Sequence, residues 1–230
     1  MNKQYNILKV RDKNDSYYTP LNRLFDLPFR LLINGKSQLS GKTSVIINLL
    51  LNPQFGYENY FDGEDIWVIT NNSLDNKLAM LMEKLDIPEE NHMQFDKEAV
   101  ANEEKPKNKL FIIDDVAYSG GLKNYSKQNI IDKLVCNSRH ALISIIFTSQ
   151  KYSQTSTCLR TNISGAILFG TNAKEVDLIA DDMSYYEKKS DFIKMFRRIT
   201  KIPRSFLVVN FSNPPEELYL DTKFQPIEWK

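Results

Sequence analysis

Between an apolar run and a helical one lies Gly35-Lys36-Ser37-Gln38-Leu39-Ser40-Gly41-Lys42-Thr43, which reads as a phosphate-binding loop of the G-x-x-x-x-G-K-[ST] kind. The chemistry explains the residue types. Glycines let a loop wrap an anion without Cβ clashes. Successive backbone N–H groups and the N-terminus of the next helix then present partial positive charge to it. In such a loop Lys42 reaches the β- and γ-phosphates, and the Thr43 hydroxyl ligates Mg²⁺. Gly35 through Ser44 are the expected nucleotide contacts.

Farther along, Leu110-Phe111-Ile112-Ile113-Asp114-Asp115 ends an apolar run in two carboxylates. At the carboxyl end of a parallel strand, Asp114 faces the phosphate loop and holds Mg²⁺ through water. Asp115 is then placed to orient or deprotonate the attacking water, because the first acid is engaged with the metal. The plainer alternative is that Asp115 only caps the following turn. The next apolar run, Leu142 to Thr148, ends in Ser149-Gln150. The Gln150 amide both donates and accepts, so it is the candidate for contacting the γ-phosphate or the lytic water.

These residues need a scaffold that brings strand ends to one edge. Arg30–Asn34, Asp65–Thr70, Leu110–Asp115, Leu142–Thr148, Gly165–Phe169 and Ser205–Phe211 read as strands. Helical spacing covers Gly41–Leu51, Ser73–Leu85 (with Ser73 as N-cap), about Ser126–Ser138, Ala173–Met183 and Ser190–Lys201. Pro88–Lys109 reads as a charged connector with one short helix. Near-continuous apolar strands separated by helices predict an α/β fold, a P-loop NTPase three-layer sandwich whose mostly parallel sheet is covered on both faces. Residues 1–27 form an N-terminal segment, 28–212 the P-loop domain and 213–230 an extended C-terminal arm lying on the domain or on a neighbour.

The chain has 230 residues, with 30 Lys+Arg against 29 Asp+Glu and 42% apolar residues. That balance excludes a polybasic binder working by bulk charge. Cys136 and Cys158 cannot make a disulfide framework, and no Cys/His spacing matches zinc. Cys136 is expected in the core, and His140 as a packing residue. The first residues carry no apolar signal core, and no apolar run approaches the ~20 residues needed to span a bilayer. A reduced, intracellular setting is the expectation.

Asn137-Ser138-Arg139-His140, the strand ending in Ser149-Gln150, and Leu159-Arg160-Thr161-Asn162 follow the two motifs above at characteristic intervals. Together these residues resemble the viral genome-packaging ATPases of the FtsK–HerA superfamily, the poxvirus-type enzymes of large double-stranded DNA viruses and virophages. The resemblance spans about residues 28 to 183. Much of the wider superfamily has Glu where this chain has Asp115, although similar viral members also pair two Asp. It implies a ring, usually hexameric, that hydrolyses ATP with Mg²⁺ to drive double-stranded DNA into a preformed capsid. Its implied partners are DNA, further copies of the chain and capsid or portal proteins, in the host cytoplasm, a viral factory or the virion. It also implies an arginine finger supplied by a neighbouring subunit. Arg139 is the first candidate; Arg160 is the second, as finger or sensor.

DNA contacts in a translocase are repeated phosphate contacts rather than base readout. Lys123 and Lys127, beside the glycines that follow the acidic pair, are the preferred candidates. Lys188, Lys189, Lys194, Arg197, Arg198 and Lys201 form a second basic cluster that reads as a solvated helix face. Three other functions fit less well, one of them a small-molecule kinase, which would need an acceptor pocket and a lid that the sequence does not advertise. A cellular or plasmid FtsK/HerA-like translocase usually carries further domains, and an ATP-dependent switch or scaffold has no need of Asp115, Gln150 or a finger.

Overall fold

The computed structural model describes residues 24–36, 40–55, 57, 60–70, 74–94, 109–115 and 125–228. Its strands are β1 (Arg30–Asn34), β2 (Ile66–Thr70), β3 (His92–Gln94), β4 (Lys109–Asp114), β5 (Ile143–Ser149), β6 (Gly165–Phe169), β7 (Phe206–Asn210) and β8 (Tyr219–Leu220). They form one sheet in the order β3-β2-β4-β5-β1-β6-β7-β8. Every pair from β3 to β6 is parallel, while β7 and β8 add antiparallel. The helices are α1 (Lys42–Leu51), α2 (Asn76–Lys84), α3 (Tyr125–Asn137), α4 (Thr157–Asn162), α5 (Ala173–Met183) and α6 (Lys189–Ile199).

Alternate residues of each central strand point to opposite faces, and here both faces are covered. Leu32, Ile113, Ile145 and Phe147 pack against Leu134 of α3, Leu159 of α4, Val176 of α5 and Phe192 of α6. Leu31, Ile33, Ile112 and Ile146 pack on the other face against Ile46 and Leu49 of α1 and Leu78 and Leu81 of α2. Double burial is why these strands read as unbroken apolar runs rather than alternating ones. The result is the expected three-layer sandwich.

Four features differ from the sequence reading. Helix α2 is capped by Asp75, whose Oδ1 accepts from the backbone N–H of Lys77 (2.7 Å) and of Leu78 (2.9 Å); Ser73 lies outside the described residues. The stretch from Pro88 contains strand β3 on the sheet edge, too short to announce itself by periodicity. Helix α4 was not expected; Ser156 caps it, accepting from the Leu159 N–H at 3.0 Å. Residues beyond 212, expected as an arm, supply strand β8 and bury Leu218, Tyr219 and Ile227 in the core. At the other end Phe25 and Leu27 are also core residues. The Tyr57 hydroxyl holds that end by accepting from the Phe25 N–H (2.6 Å) and donating to its carbonyl (2.9 Å).

The reversal at β7 has a simple cause. One helix between two strands returns the chain to the starting edge, so the next strand is parallel. Two helices, α5 and α6, stand between β6 and β7. The chain re-enters from the opposite edge and β7 runs backward.

Candidate nucleotide site

The carboxyl ends of β1, β4 and β5 meet at one edge, and the loop leaving β1 is rooted there. Gly35 N–H donates to the Ser149 carbonyl at 3.0 Å, and the Asn34 side-chain amide donates to the same oxygen at 3.3 Å. A Cβ on Gly35 would stand 2.7 Å from the Ser40 Cβ and 2.9 Å from Phe169, so only glycine fits this close approach. Gly41, with φ 91°, turns the chain into α1, a conformation glycine adopts without strain. The spacing departs from the pattern used to find the loop: five residues, not four, separate Gly35 from Gly41. The pattern's first glycine position is therefore taken by exposed Lys36, and Gly35 serves packing rather than anion wrapping.

The Lys42 ammonium is buried and donates to the Gly35 carbonyl at 2.9 Å, while Ser40 Oγ donates to the Lys36 carbonyl at 2.7 Å. Ser37, Gln38 and Leu39 lie outside the described residues. Thr43, on the first turn of α1, donates to Asp75 Oδ2 at 3.4 Å. Ser44 Oγ accepts from the Lys77 ammonium at 2.9 Å. A cleft of about 360 Å³ opens between these groups, walled by Ser40 to Thr43, by Asp75, Asn76 and Lys77 at the start of α2, and by Asp114 and Asp115.

The acidic pair is positioned from β5. Thr148 Oγ1 donates to Asp114 Oδ1 at 2.6 Å and accepts from the Asp115 N–H at 3.0 Å. Asp115 has left the strand, with φ 51°, which swings its carboxylate toward the end of β5. There the Gln150 amide donates to Asp115 Oδ2 at 2.9 Å. Burial raises the Asp114 pKa above the ordinary carboxylate value; the Thr148 hydrogen bond opposes this, Asp115 adds to it, and Lys42 opposes it more weakly. A half-buried carboxylate crowded by a second one is a place where a cation is stabilising.

Oxygen donors on Thr43 and Asp114 suit a hard ion such as Mg²⁺. Among the described residues no group of three or more His, Cys, Asp and Glu side chains is arranged to hold a metal unaided.

A second cleft, of about 250 Å³, lies on the far side of Ser40 from the acidic pair. Phe169 and Gly170 at the end of β6, and Thr200 to Ser205 before β7, line it together with Lys36. Ser40 belongs to both clefts.

The structure brings Lys42, Thr43, Asp114, Asp115 and Gln150 together and leaves both arginines away from them. Arg139 is exposed in the turn before β5. Since β5 is parallel to β1, that turn lies at the opposite edge of the sheet from Lys42. Arg139 is there beside Arg30: burial lowers the Arg30 pKa, and the neighbouring Arg139 charge lowers it further. Arg160 is committed within its own chain. Its guanidinium is paired with Asp182 and lies 5.4 Å from the centre of the Tyr152 ring, and Tyr152 also donates to Asp182 at 2.8 Å. Lys123 and the Lys127 side chain lie outside the described residues. In the second basic cluster Lys189 pairs with Asp177 and Asp181 and Lys194 with Asp191, as a solvated helix face would. Cys136, expected in the core, is exposed, as is His140.

Sequence reasoning missed Asp75 and Lys77. An Asp just before an amphipathic stretch is a recognisable N-cap, but nothing in the sequence says that the cap faces a cleft.

A sheet with β5 between β1 and β4, and a phosphate loop set against an acidic strand end, define a P-loop NTPase fold. Within that class, the Poxvirus A32 protein family matches residues 19–213, and the chain belongs to that family. No curated protein matches it by sequence. Among solved structures, the DNA-packaging ATPase B204 from Sulfolobus turreted icosahedral virus is 14% identical, with TM-score 0.50, covering 81% of this chain and 94% of that one. The genome packaging NTPase B204 from Sulfolobus turreted icosahedral virus 2, in complex with sulfate, is 13% identical, with TM-score 0.51 over 80% and 92% of the two chains. EssC (ATPases 2 and 3) from Geobacillus thermodenitrificans is 14% identical, with TM-score 0.54 over 80% and 38%. These likenesses are likenesses of fold. No helix among the described residues is long and apolar enough to cross a membrane.

Proposed function

We propose that the chain is an ATP-hydrolysing motor that drives double-stranded DNA into a viral capsid. The observation that carries this reading is the pair Asp114 and Asp115 in the wall of the phosphate-loop cleft, with Gln150 hydrogen-bonded to Asp115. A protein that only bound nucleotide would need the loop and Asp114, but not a second acid hydrogen-bonded to a glutamine. Membership of the Poxvirus A32 family and the fold shared with the B204 packaging enzymes support the DNA-packaging half of the proposal.

In this mechanism the phosphates lie along Ser40 to Ser44, and Lys42 exchanges its bond to the Gly35 carbonyl for the β- and γ-phosphate oxygens. Thr43 and Asp114 would hold Mg²⁺, which when bound offsets phosphate charge. The base and ribose occupy the second cleft, beyond Ser40. Asp115 accepts a proton from the attacking water, and Gln150 fixes both the carboxylate and that water. Arg139 acts on the γ-phosphate of an adjacent subunit, because the sheet separates it from its own. Arg160 holds α4 to α5 instead. The assembly is a ring, of six subunits by family resemblance, that meets the capsid at a portal. Lys123 and Lys127 are the DNA contacts of the proposal.

Steady-state hydrolysis measured with and without double-stranded DNA is the direct test. Turnover should rise with DNA and vanish in Lys42→Ala. ATP binding with no turnover at any DNA concentration would replace the motor with a switch.

A further inference from the structure

Outside the nucleotide site, Cys136 and Cys158 bring their sulfurs to 3.2 Å. Carbon-bound sulfurs at rest sit farther apart than this, and a disulfide sets them at about 2.05 Å. The approach is built by the helices that carry them. Cys136 is on the last turn of α3 and Cys158 on the first turn of α4. The two helices are tied one turn away, where Ser156 Oγ donates to Asp132 Oδ1 at 2.5 Å. Cys158 also donates weakly to the Asp132 carbonyl at 3.9 Å. Cys136 is exposed and Cys158 half-buried.

We infer that Cys136 and Cys158 form a dithiol that closes to an intramolecular disulfide by exchange with a small external disulfide. The Cys136 thiolate attacks one sulfur of the external disulfide RSSR, forming Cys136–S–S–R and releasing RS⁻. The Cys158 thiolate then attacks the Cys136 sulfur, forming the internal bond and releasing the second RS⁻. The two protons lost by the protein end on the two RSH products. The roles follow from access: an external molecule reaches Cys136 first, and Cys158 already touches it.

The second step should be the slow one. In the dithiol, burial and next the hydrogen bond with Cys136 push the Cys158 thiol up to about 11; once Cys136 carries R that bond is gone, but burial and Asp132 still hold Cys158 above the ordinary thiol value. Asp132, on the facing helix, and Cys136 add to the rise. Below the Cys158 pKa in that intermediate the closing rate should increase roughly tenfold for each unit of pH, following the thiolate fraction. The closed loop would contain both Arg139 and Gln150, so the bond would restrain the segment joining one subunit's finger to its own catalytic cleft.

The test uses the full chain, reduced, then incubated with excess oxidised glutathione and digested without reductant. Wild type should yield a Cys136–Cys158 linked peptide and a protein about 2 Da lighter, two hydrogens having left. Cys158→Ser should instead stop with glutathione on Cys136, and Cys136→Ser should give no linked peptide. Circular dichroism confirms that each variant is folded. Should a variant not fold, the pH dependence of closure in wild type decides alone. Glutathione remaining on wild-type Cys136 up to pH 9, disulfide-linked dimers in place of the internal bond, or no reaction would overturn the inference.

Discussion

Thr148 is the side chain on which the acidic pair hangs, since one hydroxyl serves the Asp114 carboxylate and the Asp115 backbone. Its hydrogen bond lowers the Asp114 pKa against the rise caused by burial. Thr148→Val keeps the shape and deletes the bond, so Asp114 should hold its proton to higher pH. Magnesium binding needs the ionised carboxylate, so the acid limb of the ATPase pH profile should move to higher pH, with turnover on the alkaline side less affected. Stability should also fall by about 1 kcal/mol, from the lost acceptor at a half-buried N–H. An unmoved acid limb would show that Asp114 does not govern it. Lys42, Thr43 and Asp114 were legible in the sequence because loop and strand-end chemistry demand particular residue types at particular places. The Thr148 contact was not, because it joins residues 34 positions apart through the register of β4 on β5.

Helix α2 connects the cleft to the edge of the sheet through one residue. Asp75 spends Oδ1 on the helix cap and Oδ2 on Thr43. A threonine hydroxyl can coordinate a cation through a lone pair while its proton is held by a carboxylate, so Asp75 would orient the Thr43 oxygen toward the ion of the proposed mechanism. Asp75→Ala should cost about 1 kcal/mol of stability through the lost cap, read by chemical denaturation. It should also raise the Mg²⁺ concentration needed for half-maximal turnover by about tenfold. Asp75→Ser restores a cap but places its oxygen differently, so stability should recover while the metal requirement stays high. Recovery of both together would reduce Asp75 to a cap. At this scale the long apolar strands and the amphipathic α5 were plain from the sequence. Strand β3, strand β8 and helix α4 were too short for their periodicity to be read, and they are held by their neighbours rather than by propensity.

Across the molecule, Lys42 and Arg139 stand at opposite edges of the sheet. A subunit therefore offers a phosphate loop at one edge and a guanidinium at the other, and contact between the two requires a second copy. Arg139→Ala chains retain the loop, and Lys42→Ala chains retain the guanidinium. Each should be inactive alone, with Arg139→Ala lowered by ~10³-fold or more, the range of finger arginines. Mixing the two should restore part of the hydrolysis, and wild-type activity should fall steeply on dilution. An Arg139→Ala protein as fast as wild type would end the trans assignment.

Among the described strands β1 comes first, yet both its neighbours come late. Phe29 meets Ser144 across 115 positions, and Arg30 meets Ser164 across 134. As the polypeptide leaves the ribosome, β1 and the loop that follows it precede β5 and β6, so this apolar strand has neither neighbour until those are made. At roughly 5–20 residues per second that interval lasts on the order of ten seconds. Long-range pairing of this kind also makes for slow closure once the partners arrive. Nucleotide binding by the loop should therefore await β5 and β6, the distant strands that hold β1 in place.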